Sequence, residues 1–196
     1  MADPAKKSQP VPPNNLRPIS RLITTHSPTG QAVFSTALPE PITSVQTTIQ
    51  NGDKFALSYA TAKTPADFNS DQDLATYQSL LANPPGIVIP GGSVLRIVDV
   101  RPGGESPMHR TVSLDYGVVL DGEVEIMLDS GETRSMKRGD HCVQRGTMHS
   151  WRNRSETEWA RMLFVLLEAE KVVVEGGRVL GEDYGEGMAD IKPSGN

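Results

Sequence analysis

Residues 102–153 read PGGESPMHRTVSLDYGVVLDGEVEIMLDSGETRSMKRGDHCVQRGTMHSWRN. This stretch decides the fold. Five short runs within it, Ser113–Leu120, Glu123–Leu128, Thr133–Met136, His141–Gln144 and Met148–Asn153, have strand character. Turn signals separate them: Asp121-Gly122, Asp129-Ser130-Gly131 and Arg138-Gly139-Asp140. Successive side chains of a strand point to opposite faces, so each run can offer one face to a core. Many short strands joined by glycine turns predict an all-β sandwich or barrel and exclude a parallel α/β sheet.

Two of the four histidines, His109 and His149, stand near opposite ends of this stretch. By the two-residue period, His109 shares a face with Thr111 and, if the strand continues, with Asp115. His149 shares its face with Trp151 and Asn153. If the two strands oppose each other inside a barrel, His109, Asp115 and His149 converge. Two imidazoles and a carboxylate form a ligand set that suits Fe(II), Mn(II) or Zn(II) with open positions. The same His–Asp combination can move protons without a metal, because imidazole titrates near neutrality. Trp151 either stacks on an aromatic ligand or fills the core. Arg145, just before the turn that leads to His149, is expected to meet an acidic substrate at the barrel mouth or to be a solvated loop residue. Arg110 and Tyr116 face away from the site. Asn153 is expected to tie a turn together. His141 and Cys142 are neighbours, so only one of them faces inward. His26 is expected in a surface loop.

Outside this stretch, Gly30–Thr36, Phe55–Thr61, Ser93–Val100 and Trp159–Glu168 also have strand character, and Lys171–Val174 pairs with Arg178–Leu180 across Gly176-Gly177. Asn69–Ala82 is the one helix expected, capped by Ser70 or Asp71 and stopped by Asn83-Pro84-Pro85-Gly86. Its apolar face is Leu74, Tyr77, Leu80 and Leu81. Thr43–Asp53 is mostly polar and ends in the turn signal Asn51-Gly52-Asp53. The division expected is a disordered arm at 1–16, a β-prone extension with a short helix at 17–86, a barrel at 87–181 and a loose tail at 182–196.

The chain has 196 residues, enough for one well-buried domain, with 37% hydrophobic content and net charge −5. An acidic balance gives no reason to expect nucleic acid or an anionic membrane as partner. A single cysteine, Cys142, forms no internal disulfide, which fits a reducing compartment. No run of about 18 apolar residues and no signal-peptide pattern is present, so a cytoplasmic location is expected.

The two histidine segments resemble the paired motifs of the cupin family. The first motif is G-x5-H-x-H-x3-4-E-x6-G. Gly103, His109, Thr111, Asp115 and Gly122 fall at its spacing, with threonine for the second histidine and aspartate for the glutamate. The second is G-x5-P-x-G-x2-H-x3-N. Gly139, Arg145, Gly146, His149 and Asn153 follow it with arginine for proline and one residue fewer before Gly146. The resemblance implies a jelly-roll β-barrel and a divalent metal, iron or zinc, on His109, Asp115 and His149. It puts Thr111, Arg145 and Trp151 on the substrate side of the pocket. The wording HRTVSLDYGVVLDGEVE and VQRGTMHSWRN is similar to small single-domain fungal cupins of polyketide secondary-metabolite clusters, described as cupin-domain oxidoreductases. That likeness implies an oxidoreductase acting on a small aromatic or polyketide-derived substrate.

Two other readings stand beside it. In a metal-independent dehydratase, isomerase or decarboxylase, Asp115 and a histidine act as acid and base. In a binding module, a barrel that has lost a ligand carries a small molecule without turnover. Barrel edges need cover, so a homodimer is expected.

Overall fold

The structure, a computed structural model, describes residues 11–42, 52–185, 188 and 192–194. Two small strands, β1 (Thr24–His26) and β2 (Ala32–Phe34), pair as a hairpin. They are followed by β3 (Lys54–Thr61) and α1 (Gln72–Ala82). Then come β4 (Ser93–Val100), β5 (Ser113–Asp121), β6 (Glu123–Leu128), β7 (Thr133–Lys137), β8 (His141–Arg145), β9 (His149–Asn153) and β10 (Ala160–Glu168). A last hairpin joins β11 (Val172–Val173) to β12 (Val179–Leu180).

The strands form a five-stranded antiparallel sheet, β3-β4-β10-β5-β8, and a three-stranded one, β7-β6-β9. The all-β jelly-roll expectation holds, with two sheets that do not close into one ring of strands. The sheets face each other: Trp151 on β9 meets Phe164 on β10 edge-on, with ring centroids 5.7 Å apart. Val94, Val119, Val124 and Met162 are fully buried between them. Each contributes about 1.5–3 kcal/mol relative to an exposed side chain.

Alternation explains which residues reach this core. On β5 the odd positions from Ser113 to Val119 are buried, whereas Tyr116 and Leu120 lie exposed on the outer face. Gly117 takes its place in the buried row because a side chain would collide there: a Cβ would sit 2.8 Å from the Phe164 ring. Gly122 turns the chain from β5 into β6 at φ 76°. A Cβ there would lie 2.9 Å from that of Ala160.

The helix follows its expected face, with Leu74 and Tyr77 buried and Leu80 and Leu81 packed against the core. Tyr77 donates to the Leu57 carbonyl at 2.7 Å and accepts from Arg21 at 2.6 Å. Asp71 occupies the N-cap position, but its carboxylate accepts from Thr25 Oγ1 and caps nothing. The left-handed backbone of Asp71 accompanies this arrangement.

Parts of both expected loose ends pack against the rest of the chain. Residues 1–10 lie outside the described residues, but 11–16 are docked. The Trp159 indole donates to the Pro12 carbonyl at 3.0 Å, and Asn14 donates to Asp99 at 2.6 Å. At the other end, Arg110 and Asp183 exchange backbone hydrogen bonds of 2.6 and 3.0 Å. Ser194 is buried, and its hydroxyl accepts from the Val88 amide. Residues 43–51, including Asn51 of the expected turn, lie outside the described residues, as does most of the last ten. Among the described residues no helix is long and apolar enough to cross a membrane.

Candidate active site

His109 and His149 come together. Their backbones exchange hydrogen bonds of 2.8 and 2.9 Å, N–H to carbonyl in each direction. Their ring centroids are 4.3 Å apart, and both residues are buried. This isolated antiparallel bridge brings the segment before β5 against the start of β9. The same backbone step recurs on both sides: His109 Nδ1 lies 2.8 Å from the Pro107 carbonyl, and His149 Nδ1 lies 2.8 Å from the Thr147 carbonyl. A carbonyl only accepts, so each Nδ1 carries the proton. In the neutral ring that leaves Nε2 with a free lone pair. A carbonyl that fixes the tautomer and orientation in this way is the usual support for a metal-ligating histidine.

Burial keeps both rings neutral. It pushes the pKa of His109 below its ordinary value. It lowers that of His149 to about 3, with the neighbouring His109 adding to the effect. A cation in the barrel would have to be charged against the same burial cost.

Asp115 is buried on the inward face of β5. Burial raises its pKa to about 6, while the hydroxyls of Ser113 and Thr111 pull it down. Ser113 Oγ donates to Thr111 Oγ1 at 2.7 Å, and Thr111 Oγ1 makes a long hydrogen bond of 3.4 Å to Asp115 Oδ2. The other carboxylate oxygen, Oδ1, is buried without a partner. The expected three-ligand set is not assembled: among the described residues no three His, Cys, Asp or Glu side chains form a metal-holding group. Aspartate reaches one methylene less far than glutamate, and its Oδ2 is turned toward Thr111. The donors that fit a metal are therefore the two Nε2 atoms, and the unpartnered Asp115 Oδ1 is buried as well.

Sequence reasoning missed two residues. Gln144, the cross-strand partner of Asp115 on β8, is buried with neither its amide oxygen nor its nitrogen hydrogen-bonded. The alternation of β8 carried that signal, since it turns Gln144 and Cys142 inward and His141, Val143 and Arg145 outward. The second is Arg96 on β4. It is the register partner of Phe164, which lies in the buried row with Gly117. Its Nη2 donates to the Gly86 carbonyl at 2.6 Å, and its Nε is buried without a partner.

The remaining candidates separate clearly. Trp151 is buried and lies edge-on to His149, with centroids 6.2 Å apart, as well as to Phe164. Thr111 is inside, as the face argument required. Arg145 is exposed at the end of β8 on its outer side, which agrees with the solvated alternative and turns it away from the interior. Its neighbour Gln144 occupies the inward position. Asn153 is more than a turn tie: its amide donates to the carbonyls of Val100, Arg101 and Glu158 from a buried position. His26 is exposed as expected, but in β1 and not in a loop.

The cupin domain family model matches residues 96–166. Phomopsin biosynthesis cluster protein D of Diaporthe leptostromiformis is 54% identical over 190 residues, covering 97% of this chain and 99% of that one. Oryzines biosynthesis cluster protein J of Aspergillus oryzae is 47% identical over 176 residues, covering 90% and 97%. The cupin-domain-containing oxidoreductase fogC of Aspergillus ruber is 42% identical over 168 residues, covering 83% and 79%. With near full-length similarity to these proteins and the paired histidines at the centre of a two-sheet jelly roll, the chain belongs to the cupin family, among fungal cupin-domain oxidoreductases and biosynthesis-cluster proteins.

Proposed function

We propose that the protein is an oxidoreductase that takes a small aromatic or polyketide-derived intermediate of a biosynthetic cluster into its barrel. The observation that carries this reading is the His109–His149 pair, with both Nδ1 protons held by backbone carbonyls. The names of the relatives support the reaction class. His109 and His149 would hold a divalent metal, iron or zinc, through Nε2. When bound, such an ion supplies Lewis-acid chemistry at a carbonyl, enol or phenol oxygen of the substrate. Asp115 Oδ1 accepts or returns a proton, because a pKa of about 6 leaves both forms accessible near neutral pH. Thr111 and Ser113 hold the other carboxylate oxygen in place. Trp151 and Phe164 pack edge-on beside His149 and wall the site.

A metal-independent acid–base reading is favoured by one observation: Asp115 is raised toward neutrality while sitting outside any three-ligand group. A metabolite extract from a strain lacking this gene tests both readings. We expect the purified protein to consume an accumulated compound, chelator to abolish consumption, and His149→Ala to be inactive. Consumption unaffected by chelator but lost in Asp115→Asn supports the acid–base reading. No consumption overturns both and leaves a binding module, and full activity in His149→Ala overturns the metal-dependent reading.

The homodimer proposal is supported by the outer face of β5 and β8. Tyr116 and Val143 are register partners there, and both are exposed alongside Leu120. The strand β8 is also a sheet edge. An isologous contact would cover the patch and the edge together.

A further inference from the structure

We infer that Arg96 is the anion-binding group of the barrel interior and that the ligand carries a carboxylate or an ionised phenol or enol. The inference rests on the reading of the interior as the ligand site and names the chemistry of that ligand.

Position comes first. Arg96 sits between Val94 and Val98 on β4, and both valines are buried in the core. Its cross-strand neighbours are Phe164 on one side and Leu57 on the other, also core residues. Arg96 itself is half-buried, in a row whose strand neighbours are apolar. Such a charge is costly unless paired.

It is not paired. Arg161, on the outer face, is held by both oxygens of Asp99 at 2.6 and 2.7 Å. Among the described residues no ion pair involves Arg96. Among the described residues the ionisable group that acts on it is the phenol of Tyr184, which donates to Glu182. Even so, Arg96 stays protonated at neutral pH: burial lowers its pKa only to about 10.

The donors are also underused. A guanidinium offers five N–H groups in a planar fork that matches a carboxylate in bidentate fashion. One hydrogen bond, to the Gly86 carbonyl, is made by Nη2, and the buried Nε has no partner. Val88 is held by the Ser194 hydroxyl, and the backbone of Lys192 and Pro193 lies close against Gly86. The acceptor is therefore fixed, and the guanidinium is oriented before a ligand arrives. Phe164 beside it and Trp151 beyond provide an aromatic wall, which favours a flat ligand.

Benzoate and benzyl alcohol, matched in shape and different in charge, serve as probes in chelator-treated protein, read by calorimetric titration and by melting temperature. The wild type should bind benzoate about tenfold or more tighter than benzyl alcohol. Arg96→Met should bring that ratio to about one. It also removes a half-buried charge that has no ion-pair partner among the described residues, so the ligand-free variant should melt about 2–4 °C higher. Arg96→Lys should keep part of the preference. His149→Ala should keep all of it, which separates this inference from the metal-dependent reading. No preference in the wild type, an unchanged ratio in Arg96→Met, or a preference lost in His149→Ala and kept in Arg96→Met would overturn it. A ligand-free Arg96→Met that melts lower than wild type would do the same, because that is the mark of a purely structural arginine.

Discussion

Replacing Asp115 with asparagine should stabilise the metal-free protein at neutral pH and leave it unchanged in acid. The side chain is 4% exposed, and its pKa rises from an ordinary 3.8 to about 6. Two units at about 1.4 kcal/mol each make about 3 kcal/mol. The folded carboxyl binds its proton more tightly than the unfolded one. Its stabilising contribution is therefore fully present below about pH 4 and is lost as pH rises through about 6. Above that, the wild type holds a buried carboxylate whose Oδ1 has no partner, and asparagine carries no such charge. At about 2–4 °C per kcal/mol for a chain of this size, Asp115→Asn should melt about 6–12 °C above wild type at pH 7. The two should coincide near pH 4. His109 and His149 act in the opposite direction, since their lowered pKa values cost stability as pH falls through the imidazole range. Both proteins share that effect, so it cancels in the difference. Thermal melts from pH 4 to 8 in the presence of chelator provide the assay. A gap that is constant across this range, or a wild type more stable at pH 7, would refute the burial argument.

Two further outcomes concern the scaffold. Asn153→Ala removes the buried amide shared by the Val100, Arg101 and Glu158 carbonyls and should cost about 1–3 kcal/mol, read as a lower urea midpoint. A midpoint within error of wild type would contradict the role given to Asn153. Light scattering should report a dimer for the wild type and a monomer for the Tyr116→Lys, Val143→Glu double variant; a monomeric wild type would remove the dimer proposal.

Much of the fold was legible because the barrel strands alternate cleanly and their turns need glycine. The bounds of β4 and β6 fall where the sequence put them, and the helix lies within one 3-10 turn of its expected start. The hidden parts depend on distant partners. The strand β1 has three mostly exposed residues and no pattern to betray it. Residues 11–16 read as a polar arm, yet they are held by Trp159 and Asp99 from far along the chain. The site divided in the same way. The histidines were found because two spaced segments carry them. Arg96 was not, because SVLRIVDV is apolar on both faces and a lone arginine looks like the outward residue. The row Val94, Arg96, Val98, Val100 held the signal. Arg145 stayed ambiguous in the sequence because its place beside the second segment suggested the barrel mouth, whereas strand parity turns it outward.

The central claim is that His109 and His149 form the functional centre through their free Nε2 atoms. Elemental analysis of protein purified without chelator and then reconstituted with iron or zinc tests it most directly. The account predicts about one equivalent of metal per chain, falling to about 0.1 or less in the His109→Ala, His149→Ala double variant. Less than about 0.1 equivalent in the reconstituted wild type, or the same loading in the double variant, would contradict it.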